Sequence, residues 1–363
     1  MQMADTQRPR PHLSRPRPVR AVMLQEIRAV PERVAVMMDR EAKPLAQALA
    51  RFREQRPPLI FVAGRGTSHH ASIYAHYLFE RFLAVPVAGA QLSLFTLYPA
   101  PLNLSGALAI GISQSGESTD VVKALRSARH LGAFTVAVTN ASNSSLSRDA
   151  HHTLLLHCHR ERAVAATKTY LASLVGMVMI ARALGAELGE GELERLPEGI
   201  GCALSCEDAI REVAPYYRYA TACIVLARGF NYCTAREIAL KLQETCYLGA
   251  SGMSAADFLH GPIAMLSETT PLITFAADGP THPFMLRLVR SLRRQNADIL
   301  TFSNREDITR LSTMGIHCPF TVREGLSPIP FATLGQLLAC HVALMRGNNP
   351  DAPRRLHKVT RTL

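Results

Sequence analysis

Apolar residues along the chain follow two alternating rhythms. Short runs rich in valine, isoleucine and phenylalanine at 59–63, 107–112 and 134–138 read as buried strands. Between them, 68–82 and 118–131 place apolar residues at the three-to-four spacing of helices with one covered face. Strands alternating with helices imply βαβ crossovers, and so a parallel sheet with helices on both faces. The rhythm then recurs. "LIFVA" begins at Leu59 and "CIVLA" at Cys223, "ALAIGISQSG" at Ala107 and "PLITFAADG" at Pro271, each pair 164 positions apart. "ARHLGAFTVAVTN" ends at Asn140 and "LRRQNADILTFSN" at Asn304, at the same offset. Three matches at one spacing argue for two copies of one unit. The expected fold is therefore α/β: two tandem subdomains, each a doubly wound, flavodoxin-like parallel sheet flanked by helices. The expected boundaries are a basic tail at 1–21, a first domain at 22–195, a second at 196–348 and a C-terminal segment at 349–363.

Composition narrows the class. A chain of 363 residues with 48% hydrophobic content can build two cores, and nothing in it suggests large-scale disorder beyond the tail. The net charge of +11 suits an anionic ligand, but five arginines in the first twenty residues supply part of it. No DNA- or RNA-binding motif follows them, so nucleic acid is not expected as a partner. The longest apolar stretch, "LASLVGMVMIA", stops at Arg182, and a buried helix is expected there with no membrane span. Eight cysteines occur singly, without a Cys-x-x-Cys pair, as in a cytoplasmic protein with reduced thiols.

Candidate chemistry sits where strands end. In "SQSGESTD" (113–120), Ser113, Ser115 and Ser118 offer hydroxyls, Gly116 offers backbone access and the next helix offers the positive end of its dipole. Ser68, in "GRGTSHH", is placed to close such a phosphate cradle, although serines in this pattern equally serve as helix caps. In "TAREIALKLQETCYL", Glu237, Lys241 and Glu244 share one helix face, and periodicity alone favours a solvent-exposed ladder of ion pairs. His260, held before a Gly-Pro turn in "FLHGP", is either an acid–base group or a packed turn residue. "HHTLLLHCHR" would set His157 and His159 on one face of a strand, a pair that needs further ligands before it makes a metal site.

The segments "GRGTSHHA", "SQSGESTD", "VAATKTY", "ARGFNYCTAREIALKLQET", "FLHGP" and "DAPRRLHKVT", in that order, resemble the sugar isomerase (SIS) family. The likeness runs from about Met23 to Thr360 and points to the isomerase half of glucosamine-6-phosphate synthase and its stand-alone relatives. It implies that Thr67, Ser68, Ser113, Gln114, Ser115 and Ser118 hold the sugar phosphate, Ser118 standing where the family usually has threonine. Val164 would give backbone contacts near the sugar, and Ala166 replaces a serine of the synthase. Glu244 would carry the proton between C1 and C2 and Lys241 would orient the substrate. His260 would assist ring opening in the site of a neighbouring subunit, making the protein a homodimer. Lys358 would lie on a C-terminal tail that closes over the site, where the synthase's lysine can form an imine with the ketose. The synthase's glutaminase domain, with its cysteine next to the initiator methionine, is not expected before the first helix, where residue 2 is Gln2. The reaction so implied converts glucosamine 6-phosphate to fructose 6-phosphate and ammonia by isomerisation and imine hydrolysis, with no cofactor and no metal. The alternatives are another amino-sugar or aldose–ketose phosphate isomerase, resembling the aminotransferase without its glutaminase, and a sugar-phosphate sensor without turnover.

Overall fold

A computed structural model describes residues 21–98, 102–267 and 270–358. The basic tail lies outside the described residues, apart from Ala21. The first sheet is built from β1 (Ile60–Ala63), β2 (Val87–Gly89), β3 (Leu108–Ile112), β4 (Phe134–Thr139) and β5 (His152–Leu155). Its strands are all parallel and stand in the order β2-β1-β3-β4-β5. The second sheet holds β6 (Ala222–Ala227), β7 (Gly249–Ser254), β8 (Leu272–Ala276), β9 (Ile299–Ser303) and β10 (Met314–His317). Read from its other edge, its order is β7-β6-β8-β9-β10, the same topology and the flavodoxin-like one. The repeat offset holds to the residue for β3 and β8, whose bounds both differ by 164.

Strand alternation sorts each sheet's side chains into two layers. Ile60 and Val62 join a central core, while Phe61 and Ala63 join an outer core with Val121, Leu125 and Leu146. Val225 and Ala227 likewise point to the central core, and Ile224 and Leu226 pack outward with Phe258, Met285 and Leu288. The central core runs unbroken from Met23 to Ala343, so the two halves share one interior. Helices fill the space between the sheets. The helix Val30–Glu54 buries Val30, Val34, Met37, Leu45, Leu49 and Phe52 and packs on the helix Lys168–Ala183. The helix Tyr232–Cys246 lies between the first-half helix Thr67–Leu83 and the last helix, Pro328–Met345.

Pro328–Met345 corrects one expectation. Its 18 residues have a mean hydropathy of 1.4, enough in length and composition to cross a membrane, yet 89% of the segment is buried within the fold. Pro328 and Pro330 interrupt the apolar run in the sequence, but prolines in a first helical turn remove no intrahelical hydrogen bond. This helix is the core element against which both halves pack.

The histidine pair is corrected as well. β5 ends at Leu155, and His157 and His159 lie in the following loop with positive φ values of 50° and 51°. His157 Nε2 pairs with Glu41 at 2.6 Å, and His159 Nε2 meets Arg33 at 2.7 Å. The two rings are committed to different partners, and no metal-holding group of His, Cys, Asp or Glu occurs among the described residues.

Candidate active site

Three first-half helices begin at one cleft of about 330 Å³, where the carboxyl ends of β1 and β3 diverge. They are Thr67–Leu83, Thr119–His130 and Lys168–Ala183. Arg65, Thr67, Ser68, Gln114, Ser115, Ser118, Val164, Glu244 and Lys358 all line it. The residues come from both halves of the chain and from its C-terminal end.

The 113–118 turn is held from behind. Ser113 is buried and its hydroxyl accepts the Gly116 N–H at 3.2 Å, so this serine shapes the turn and does not reach the cleft. Glu117 accepts the Ser145 N–H at 2.9 Å and the Ser145 hydroxyl at 2.8 Å. Gly116, at φ +67°, leaves no room for a side chain, because a Cβ there would lie 2.0 Å from Ser144 Oγ. Its small size serves packing against Ser144, not approach to a ligand. Ser118 occupies the N-cap of Thr119–His130 yet makes no capping hydrogen bond, so the capping role does not account for it. With Ser68 and Ser115 it presents hydroxyls to the cleft beside two helix N-termini, where an anion is favoured. Arg65 adds a guanidinium, steadied by the buried Asp120.

The third helix N-terminus is already taken. Glu161 is fully buried and accepts the N–H groups of Thr167 (2.9 Å) and Thr169 (3.2 Å) and the Thr169 hydroxyl (2.7 Å). Lys358 Nζ completes the set at 2.9 Å and also donates to the carbonyls of Ala163 (2.6 Å) and Val164 (3.4 Å). Burial works to raise the Glu161 pKa, but the Lys358 charge and these hydrogen bonds together hold it below the ordinary glutamate value. Lys358 Nζ is thus clamped to a buried carboxylate, and only the free amine of a lysine can attack a ketone. The 349–358 segment is tied down further upstream, where Asp351 O accepts the Val164 N–H at 3.0 Å. The Asp351 carboxylate also caps the first helix through Val22 N (2.8 Å) and Met23 N (2.7 Å). A carboxylate whose folded-state pKa is depressed stabilises the fold above pH 4.5 and loses that contribution as pH falls through the lowered value. Glu161→Gln is therefore expected to be less stable than the parent at neutral pH, with the gap closing below pH 4.5; urea titrations at several pH values measure it.

The helix Tyr232–Cys246 overturns the reading of a solvated ladder. Glu237 and Lys241 are 0% exposed, and only Glu244, at 22%, opens to the cleft. Ile238 and Leu242 face the central core, so the charged face has nowhere to go but the junction with Thr67–Leu83. Lys241 Nζ lies 2.6 Å from Glu244 Oε2, 3.3 Å from Glu237 Oε1 and 3.2 Å from Thr67 Oγ1. Thr67 donates to Glu237 at 3.1 Å, and His70 Nδ1 pairs with Glu237 at 2.7 Å. Burial disfavours the Lys241 charge, but the Glu237 and Glu244 carboxylates outweigh it and hold its pKa above the ordinary value. Lys241 therefore fixes the Glu244 carboxylate from behind while Glu244 faces the cleft.

His260 lies apart. It is exposed at the end of the short helix Ala255–Leu259 and does not line the cleft of its own chain. Arg65, Glu161, Thr169, Tyr170 and Ser173 stand in or behind the cleft and were missed from sequence. The position of Glu161, seven residues before Lys168, where a helix begins, was the available signal for an acid at a helix start.

The matching turn of the second half is built differently. In the second half, 277–282 takes the place of 113–118, and there Glu324 accepts the Thr281 hydroxyl and, at 3.4 Å, the Thr281 N–H. A Cβ at Gly279 would sit 2.6 Å from Glu324 Oε2, so a carboxylate of the chain packs against this turn, and it also lines a second cavity of about 650 Å³ with Asp278, Gly279 and Arg323.

A doubly wound sheet with an anion cradle at its switch point defines a class, the α/β proteins that hold a charged ligand at the carboxyl ends of their strands. The profile of the SIS domain matches residues 34–183 and 217–346, and the chain belongs to the SIS-domain family. The glutamine–fructose-6-phosphate aminotransferase (isomerizing) of Pyrococcus horikoshii is 35% identical over 325 residues, 88% of this chain and 53% of that protein. Its counterpart in Thermococcus kodakarensis is 36% identical over 350 residues, 93% of this chain and 57% of that protein. The chain spans about half the length of these curated relatives. A candidate phosphosugar isomerase from Silicibacter pomeroyi has a crystal structure that superposes with a TM-score of 0.82 at 30% identity, covering 91% of this chain and all of that one.

Proposed function

We propose that this chain isomerises an amino-sugar phosphate, glucosamine 6-phosphate, and releases its nitrogen as ammonia. The observation that carries the reading is the cleft itself, where a carboxylate fixed by a buried lysine faces serine hydroxyls at two helix N-termini. The phosphate binds Ser68, Gln114, Ser115 and Ser118, with Arg65 adding charge, and this anchors the end of the sugar that does not react. Glu244 removes the proton from C2 of the open-chain aldose and returns it to C1, which yields the C2 imine of fructose 6-phosphate. Water then adds to C2 and ammonia leaves, so one water is consumed for each ammonia released. Thr67 acts indirectly, by joining Lys241 to Glu237. His260 opens the sugar ring in the cleft of a second copy, because its own cleft does not contain it, and the working unit is a symmetric homodimer. The relatives named for fructose 6-phosphate support the choice of sugar. Incubation with glucosamine 6-phosphate should yield ammonia and fructose 6-phosphate in equal amounts, and a purified protein that yields neither removes the proposal.

The phosphate assignment has its own test. Ser118→Ala removes one hydroxyl from a charged partner, a loss of about 1.5–3 kcal/mol. KM for glucosamine 6-phosphate should rise about ten- to a hundredfold with kcat little changed. An unaltered KM removes Ser118 from the cradle.

A further inference from the structure

Beside the cleft, at the carboxyl ends of β1 and β2, lies a further cavity of about 460 Å³. Arg65 and Gly66 line both, so the loop after β1 is a wall of each. The polar lining of this cavity is Arg65, His69, His70, Gln91, Ser93 and Arg236, and no aspartate or glutamate lines it. Two carboxylates stand behind the wall, and both are already engaged. Asp120 pairs with Arg65, and Glu237 pairs with His70 and Lys241. Arg236 is exposed and forms no ion pair among the described residues. His70 is 6% exposed, its Nδ1 lies 2.7 Å from Glu237, and its Nε2 has no hydrogen bond among the described residues. In its protonated form this ring therefore has one N–H left to donate. His69 senses the same cations: burial first, then the charges of His70, Arg236, His76 and Arg65, hold its pKa below the ordinary value. Positive groups crowded in this way are stabilised by a bound anion.

We propose that this cavity is a second anion site, which holds the phosphoryl group of a ligand separate from the sugar in the cleft. Arg65 and Arg236 supply guanidinium groups, whose planar forks match the oxygens of a phosphate and never lose their charge near neutrality. His69, His70, Gln91 and Ser93 supply further donors around them. The volume sets the class of ligand. Sites for small organic molecules run from about 300 to 1,000 Å³, so this one has room for a phosphate monoester as well as for the bare ion. The inference stands apart from the sugar assigned to the cleft, because Arg236, His69, His70, Gln91 and Ser93 do not line that cleft.

The test follows the histidine ring resonances of the full chain, isotope-labelled, as inorganic phosphate or glycerol 3-phosphate is added at constant pH and ionic strength. His69 reports this cavity, and His357, which lines the cleft, reports the other site in the same spectra. His69→Gln and His357→Gln assign the two signals. The His69 signal should titrate with a midpoint of its own. Arg236→Glu should raise that midpoint about tenfold or more and leave the His357 midpoint within about twofold of the parent. Arg236 is exposed, so the variant should fold, which circular dichroism checks. Arg236→Ala provides a second variant and should move the His69 midpoint in the same direction. A lower midpoint with glycerol 3-phosphate identifies a monoester as the ligand, and a lower one with phosphate identifies the free ion; either sustains the site. A His357 signal that stays still while His69 moves removes phosphate from the cleft and leaves this site standing. The inference is overturned by a His69 signal that does not respond, or by one whose midpoint is unchanged in both Arg236 variants.

Discussion

Glu244→Gln is expected to lower turnover of glucosamine 6-phosphate by about 10²–10⁴-fold while leaving KM within a fewfold of the parent. The substitution keeps the size and shape of the side chain but removes the base, and Lys241 at 2.6 Å still has an oxygen to bond. An effect on kcat with little on KM marks a group used at the transition state and not in ground-state binding. Exchange of the C2 hydrogen with deuterated water reports the same step before any ammonia leaves, and it should fall in parallel. A variant that exchanges that hydrogen at the parent rate would remove Glu244 from the proton transfer. Mixing the variant with a His260→Ala chain extends the test to the shared site. Each mixed dimer would hold one cleft with both groups and one with neither, so about a quarter of the parent activity should return after subunit exchange. No recovery from dimers shown to be mixed would place the histidine elsewhere.

Lys241→Met is expected to cost about 3–5 kcal/mol of stability, because it strips the buried ammonium from between Glu237 and Glu244. Glu237 is 0% exposed and would keep only Thr67 and His70 as partners. Paired with Glu237→Gln, the same substitution should recover much of the loss, since the penalty belongs to the uncompensated charge. Urea unfolding measures both, and a single-variant loss under about 1 kcal/mol would mean that the ion network contributes little. The pH dependence has a definite sign. The Lys241 pKa is raised, so its contribution is complete below pH 10.5 and disappears only as pH climbs through the folded-state value. Near neutrality the full effect is available. Activity should fall with stability, because Glu244 loses the group that positions it.

The contrast between Glu237 and Ser118 shows what a linear reading can resolve. A serine at a helix start is a cap or an anion donor, and sequence leaves the choice open; in the structure Ser118 makes no capping bond and faces the cleft. Glu237, Lys241 and Glu244 are recognisable as one helix face, but spacing carries no information about what covers that face. The covering element, Thr67–Leu83, comes from more than 150 positions upstream. Lys358 was assigned through resemblance, yet its buried partner Glu161 was not, because 197 positions separate them. Ser113 illustrates the opposite error. It has the same chemistry as Ser115 but points inward, since the strand it leaves is buried on both faces.

Read linearly, the residues already establish the α/β class, the repeat at 164 residues and the loops at strand ends that can bind an anion. These follow from local periodicity and turn chemistry, which need no knowledge of distant neighbours. Packing settled which repeat presents serine hydroxyls at its turn and which sets the Glu324 carboxylate there. It also buried Lys241 among carboxylates and clamped Lys358 to Glu161. Those outcomes depend on solvent exclusion and on charges brought together from separate parts of the chain, and both exist only once the two halves have packed around a shared core.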